Sequence, residues 1–114
     1  MEFLGVCITT DNAPRLAEFY TKVLTEEPFV EGSHYGFNRS RIAVYDPGGA
    51  VVAENKNMSI MLSVDDADAE YERLLTEIPE MNVVSPPERR PWGAYSFWLL
   101  DPDGNTVSIV GKNI

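Results

Sequence analysis

Few side chains in this sequence can do chemistry. His34 is the only histidine and Cys7 the only cysteine. His34 stands beside Gly32-Ser33 in a turn-like stretch, where a lone histidine is usually a solvated surface residue. A thiol becomes a good nucleophile when its pKa is lowered, and Cys7 has neither a second cysteine nor an obvious base for company. What remains is aromatic. Tyr35 and Phe37 share one face of a short run, Trp92 precedes Gly93, and Trp98 falls inside the run 94–100. Such rings stack on planar heterocycles and attract cations through their faces. Each also has a structural use: Trp92 can plug the end of a sheet, and Tyr35, Phe37 and Trp98 can pack in a core. Arg41, Arg89 and Arg90 could pair with an anionic group of a ligand. The last two stand in a proline-rich loop, where solvation is the default.

The elements that must position these residues can be read from hydrophobic spacing. Residues 2–9 alternate as a strand, with Leu4, Val6 and Ile8 on one face and Gly5, Cys7 and Thr9 on the other. Asp11 or Asn12 then caps a helix that tolerates Pro14 in its first turn. Leu16, Phe19, Tyr20, Val23 and Leu24 form its apolar stripe to about residue 25. Runs 28–31 and 34–38 read as short strands around Gly32-Ser33, and 41–45 as a better one ending at Asp46-Pro47-Gly48-Gly49. Residues 46–57 read as a connector, in which 50–54 could add a further strand.

In the second half, 58–64 is a strand with Ile60, Leu62 and Val64 on one face and Ser59, Met61 and Ser63 on the other. Asp65 or Asp66 caps a helix whose stripe is Ala67, Tyr71, Leu74, Leu75 and Ile78, closed by Pro79. Val83-Val84 makes a short strand, and 85–91 a proline-rich loop. Runs 94–100 and 105–110 flank an Asp101-Pro102-Asp103-Gly104 turn, where proline presets φ and glycine supplies a positive one. Which parity of 94–100 faces which way is open, because Trp98 lies on one and Phe97 and Leu99 on the other.

The two halves echo each other in a strand followed by a capped helix, and in Asp46-Pro47-Gly48-Gly49 against Asp101-Pro102-Asp103-Gly104. A repeat of this period implies two modules, about 1–55 and 56–114, sharing one domain. The expected fold is α+β: two βαβββ modules forming a concave mixed sheet with helices on the outer face.

Composition narrows the function classes. Eighteen acidic residues against nine basic ones give a net charge of −9, a field that repels nucleic acid and draws cationic ligands. No apolar run approaches the length of a membrane span. A single cysteine fits a reducing compartment. The N-terminus lacks the basic and apolar pattern of a signal peptide, so a cytoplasmic location is expected.

Trp92-Gly93 leading through Phe97 to Asp101-Pro102-Asp103-Gly104-Asn105 resembles the vicinal oxygen chelate superfamily of glyoxalases, extradiol dioxygenases and bleomycin resistance proteins. Phe19-Tyr20-Thr21-Lys22-Val23-Leu24 resembles its first helix, and Val64-Asp65-Asp66-Ala67-Asp68-Ala69 the start of its second. The resemblance covers essentially the whole chain. It implies a divalent metal held in a cleft by His, Gln or Glu from four strands. Carried over one at a time, those positions fall on Gly5, Ser59 and Ser108, and near Ala43 or, if the Asp46-Pro47 echo sets the register, near Ala53, beside Glu54. A neutral serine hydroxyl is a poor transition-metal ligand.

The resemblance is therefore to the metal-free, bleomycin-resistance-like members, and it implies binding of a small, partly aromatic molecule that the acidic surface would favour if cationic. Tyr35, Phe37, Ser59, Trp92, Trp98 and Ser108 are the expected ligand-binding residues, with no metal, no cofactor and no catalytic residue. The expected partners are the small molecule and a second copy of the chain, since family members of this length commonly pair; nucleic acid and membrane are not among them. Two rivals stand beside this reading. One is a divergent lyase or dioxygenase recruiting Glu54, His34 or a partner subunit; the other is an orphan module without ligand.

Overall fold

Asn12 starts the first helix: its side-chain oxygen accepts from the Arg15 amide at 3.2 Å, with Pro14 inside the first turn. The computed structural model describes residues 1–49 and 57–112, and the chain divides into two compact units, Met1–Ala53 and Glu54–Ile114. The first runs β1 (Val6–Thr9), α1 (Ala13–Leu24), β2 (Phe29–Glu31), β3 (His34–Phe37) and β4 (Ile42–Tyr45). The first strand is shorter than the alternation suggests, because residues 2–5 have no strand partner. Thr25 ends α1 in a left-handed conformation at φ 49°.

The first sheet is ordered β1-β4-β3-β2, with β1 parallel to β4 and the other pairs antiparallel. Opposed residues share a face, so Val6, Ile42 and Phe37 lie together, as do Ile8, Val44 and Tyr35. This is the face α1 covers. Leu16, Phe19, Tyr20 and Val23 of the helix are buried along with Phe37, Ile42 and Val44, each burial stabilising the fold by about 1.5–3 kcal/mol.

The second unit repeats the plan with β5 (Ser59–Val64), α2 (Ala67–Glu77), β6 (Asn82–Arg89), β7 (Tyr95–Leu100) and β8 (Thr106–Gly111), in the order β5-β8-β7-β6. Asp66 caps α2 by accepting from the Ala69 amide at 3.1 Å. Leu74 of the helix is fully buried, as are Phe97, Leu99, Val107 and Ile109 of the sheet. Tyr71 meets Phe97 edge-to-face at 5.2 Å. The odd residues of β7 thus face α2, which settles the parity of this strand. Tyr95, on the same face, donates to the Asp68 carboxylate at 2.7 Å, and this bond holds the phenol above its usual range. Among the described residues the architecture is α+β, two βαβββ modules each with a four-stranded mixed sheet and one helix.

Three expectations need correction. Residues 85–89 are strand, not loop: β6 runs through Pro86 and Pro87 with two register shifts against β7. It is an edge strand, where proline removes no needed ladder bond and irregularities are tolerated. Leu75, expected in the buried stripe of α2, is 37% exposed. Finally, Asp46 follows the last described strand of its module, whereas Asp101 precedes the last strand of the other, so the two Asp-Pro turns are not equivalent. The Asp101 turn closes tightly, its carboxylate accepting from the Asp103 and Asn105 amides at 2.9 Å each. A further strand at 50–54 would fall outside the described residues.

Candidate functional site

Each sheet has a second face that its own helix does not cover. In the second module this face carries the even residues of β7 and β8 and the odd residues of β5. Trp98 lies opposite Ser108 on one side and Ser85 on the other, and Ser108 lies opposite Met61. Ser59, opposite Thr106, occupies the neighbouring row. Trp98 is half-buried, Ser59 and Met61 are exposed, and Ser108 keeps 8% of its surface. Three of the expected residues, Ser59, Trp98 and Ser108, are therefore brought to one face.

Arg90, which the sequence places by default in a solvated loop, is instead built into this face. It is only 5% exposed, and its guanidinium carbon lies 4.0 Å from the centre of the Trp98 ring. Nε donates to Ser96 Oγ at 2.9 Å, one terminal nitrogen donates to the Ser96 carbonyl at 2.9 Å, and the other donates to Ser85 Oγ at 3.0 Å and Glu88 at 2.6 Å. Ser85 and Glu88 can reach it because β6 continues through the prolines. The result is an indole whose one side is fixed by a pinned cation, an arrangement that guanidinium planarity suits and an ammonium does not.

The other expected residues do not lie on this face. Trp92 sits in the turn between β6 and β7, 69% exposed, where Gly93 donates back to the Arg90 carbonyl; it plugs no sheet end. Tyr35 and Phe37 point the way of Val44 and Ile42, toward α1, and Phe37 has no exposed surface. Their strand offers His34 and Gly36 to the uncovered face instead. That face of the first module holds the row Cys7, Ala43, Gly36 and Phe29, and the row Thr9, Tyr45, His34 and Glu31. His34 and Tyr45 lie with ring centres 5.8 Å apart.

A family model described as the Glyoxalase/Bleomycin resistance protein/Dioxygenase superfamily matches residues 3–109. The chain belongs to this superfamily. Solved structures agree at the level of the fold. A protein of unknown function from Agrobacterium tumefaciens str. C58 superposes with TM-score 0.83 at 21% identity, covering 98% of this chain and 94% of that one. TioX from Micromonospora sp. ML1 gives TM-score 0.71 at 15% identity, with 96% and 98% covered. A lactoylglutathione lyase from Agrobacterium tumefaciens gives TM-score 0.70 at 21% identity, with 97% and 93% covered. A comparison with curated proteins gave no match.

Cys7 lies opposite Ala43 as Met61 lies opposite Ser108, both across a parallel pair. The counterpart of Ser108 in the first module is thus Ala43, whose methyl group has nothing to coordinate with. At Gly5 a side chain has no room: a Cβ would sit 2.4 Å from the Arg41 carbonyl oxygen, and φ is 154°. Among the described residues no group of three or more His, Cys, Asp or Glu side chains gathers. A glycine, an alanine and two serines do not fit a divalent cation. Ala53 and Glu54 lie outside the described residues.

Proposed function

We propose that the chain binds a small, partly aromatic molecule without a metal, as a bleomycin-resistance-like member of its superfamily. The observation that carries this is Trp98, half-buried on the sheet face that α2 leaves open, with Arg90 holding its ring, Ser108 directly opposite it and Ser59 in the neighbouring row. A ring fixed before the ligand arrives loses little freedom on binding, which favours affinity. The hydroxyls supply orientation through hydrogen bonds, and the exposed Met61 adds an adaptable apolar contact. Trp92 offers a second, more exposed ring at the turn that leads into β7.

The test is calorimetric titration of the purified protein with a panel of flat heteroaromatic compounds, cationic and neutral. Trp98→Ala is expected to weaken the best of them by about 3- to 10-fold, the range of one lost stacking contact. Trp92→Ala is expected to weaken binding less and to leave the fold intact; unchanged affinity in that folded variant would remove Trp92 from the site. If no compound of the panel binds at millimolar concentration, the binding reading is wrong.

A further inference from the structure

The first module carries a groove of about 540 Å³, lined among the described residues by side chains of that module. The row Cys7, Ala43 and Gly36 contributes small side chains to it, and the N-terminal stretch Glu2 to Val6 borders it, with Phe3 and Leu4 largely exposed. His34, Asn38 and Arg41 border it as well. A volume of this size suits a drug-sized molecule. At Gly36 the wall of the groove is close: a Cβ there would meet Asn38 Oδ1 at 3.0 Å, and the His34 ring carbon Cε1 and the Phe29 carbonyl oxygen at 3.8 Å each.

Arg41 supplies the charge. It closes the turn between β3 and β4 in a left-handed conformation, φ 61°, that glycine or asparagine would adopt at less cost. Its backbone is locked, because its carbonyl accepts from the Val6 amide at 3.0 Å and lies against Gly5. Its side chain starts from that fixed point, is exposed, and has no hydrogen bond or ion pair among the described residues. An exposed, unpaired guanidinium beside a small-residue groove is a fork for a carboxylate or sulfonate.

We propose that this groove binds a small organic anion with an apolar or aromatic body, its acid group paired with Arg41 and its body lying over Cys7, Ala43 and Gly36. The net charge of −9 opposes such a ligand at long range, but salt screens that repulsion beyond about 10 Å at 0.1 M, while contact pairing persists. Glu2, which also lines the groove, is the acid that opposes it nearby. This inference shares with the proposed function only the premise of a small, metal-free ligand.

The experiment is a pair of fluorescence titrations with anilinonaphthalene sulfonate and with phenyl-naphthylamine, the same ring system without the acid. The wild type is expected to bind the sulfonate about tenfold more tightly. Arg41→Asn, which keeps the turn conformation, should erase that preference, and Glu2→Gln should widen it. Ala43→Leu, which fills the groove, should weaken both dyes, and Trp98→Ala should leave the preference unchanged. Equal binding of the two dyes by the wild type, or a preference that survives Arg41→Asn, would overturn the anion site while leaving the stacking site on Trp98 to its own test. Loss of the preference in Trp98→Ala would overturn the assignment to the first module.

Discussion

Gly5→Ala is expected to lower the stability of the first module by about 2–4 kcal/mol, the sum of backbone strain and overpacking. The added Cβ would lie 2.4 Å from the carbonyl oxygen of Arg41 and 3.2 Å from its Cβ. The first of these neighbours is backbone, so the contact can be relieved only by parting β1 from the turn that precedes β4. That parting breaks the 3.0 Å hydrogen bond that the Val6 amide donates to the Arg41 carbonyl, and disturbs the parallel pairing that starts at Val6 and Ile42. Gly36→Ala is the control: its φ is ordinary and its Cβ would press on the movable side-chain oxygen of Asn38 at 3.0 Å, so a cost under about 1 kcal/mol is expected. Both tryptophans belong to the second module, so their emission is a poor reporter here. Chemical denaturation followed by far-ultraviolet circular dichroism, with amide exchange at Val6, reads the right part of the molecule. A Gly5→Ala variant as stable as Gly36→Ala would show that β1 and the Arg41 turn separate freely.

The same contact changes what the glycine means for function. As a vanished ligand, Gly5 would be expected to accept a histidine and regain a metal donor. As the residue that admits the Arg41 carbonyl, it accepts no side chain. Gly5→His should therefore unfold the first module and gain no tight divalent metal. The physical cause lies in the backbone: a position at φ 154° with a carbonyl 2.4 Å from its missing Cβ has been given over to holding a turn.

Much of the fold was legible because hydrophobic alternation, helix caps and turn residues all pointed the same way. Asn12 and Asp66 cap the helices, and Asp101 holds its hairpin turn by local hydrogen bonds. The candidate site was less legible, for three separate reasons. Pro86 and Pro87 read as loop, and only pairing at a sheet edge permits them in a strand; with them went Glu88, Ser85 and the burial of Arg90. Phe97 and Trp98 are both aromatic, so β7 had no parity until Tyr71 was seen against Phe97. In β3 the aromatic side chains of Tyr35 and Phe37 are the conspicuous ones in the sequence, yet they belong with Val44 and Ile42 toward α1. The signal for the groove was the small residue between them, Gly36, opposite Ala43. Spacing cannot reveal that an empty position is the useful one; only the pairing of strands does.

Arg90→Met should cost about 2 kcal/mol and release the Trp98 ring, the second large effect expected. Two opposing magnitudes decide this. Removing a buried guanidinium relieves its desolvation, and apolar replacements of buried ions are often neutral for that reason. Against that, the methionine stem leaves Ser96 Oγ, Ser85 Oγ and the Ser96 carbonyl without their donor, and hydrogen bonds to a charged group contribute about 1.5–3 kcal/mol. The stacking on Trp98 at 4.0 Å adds about 2 kcal/mol when desolvated. Glu88 is 60% exposed and returns to water without penalty, so its ion pair counts for little. The losses outweigh the relief. Arg90→Lys should recover only part, since an ammonium cannot lie flat on the indole while donating to three acceptors. Measured in a Trp92→Phe background, Trp98 emission should shift and broaden in Arg90→Met, and affinity for a stacking ligand should fall several-fold although Arg90 itself need not touch that ligand. Unchanged emission with stability within about 0.5 kcal/mol of the parent would mean that Trp98 holds its own position, and the platform would then rest on packing of the indole edge rather than on the cation beneath it.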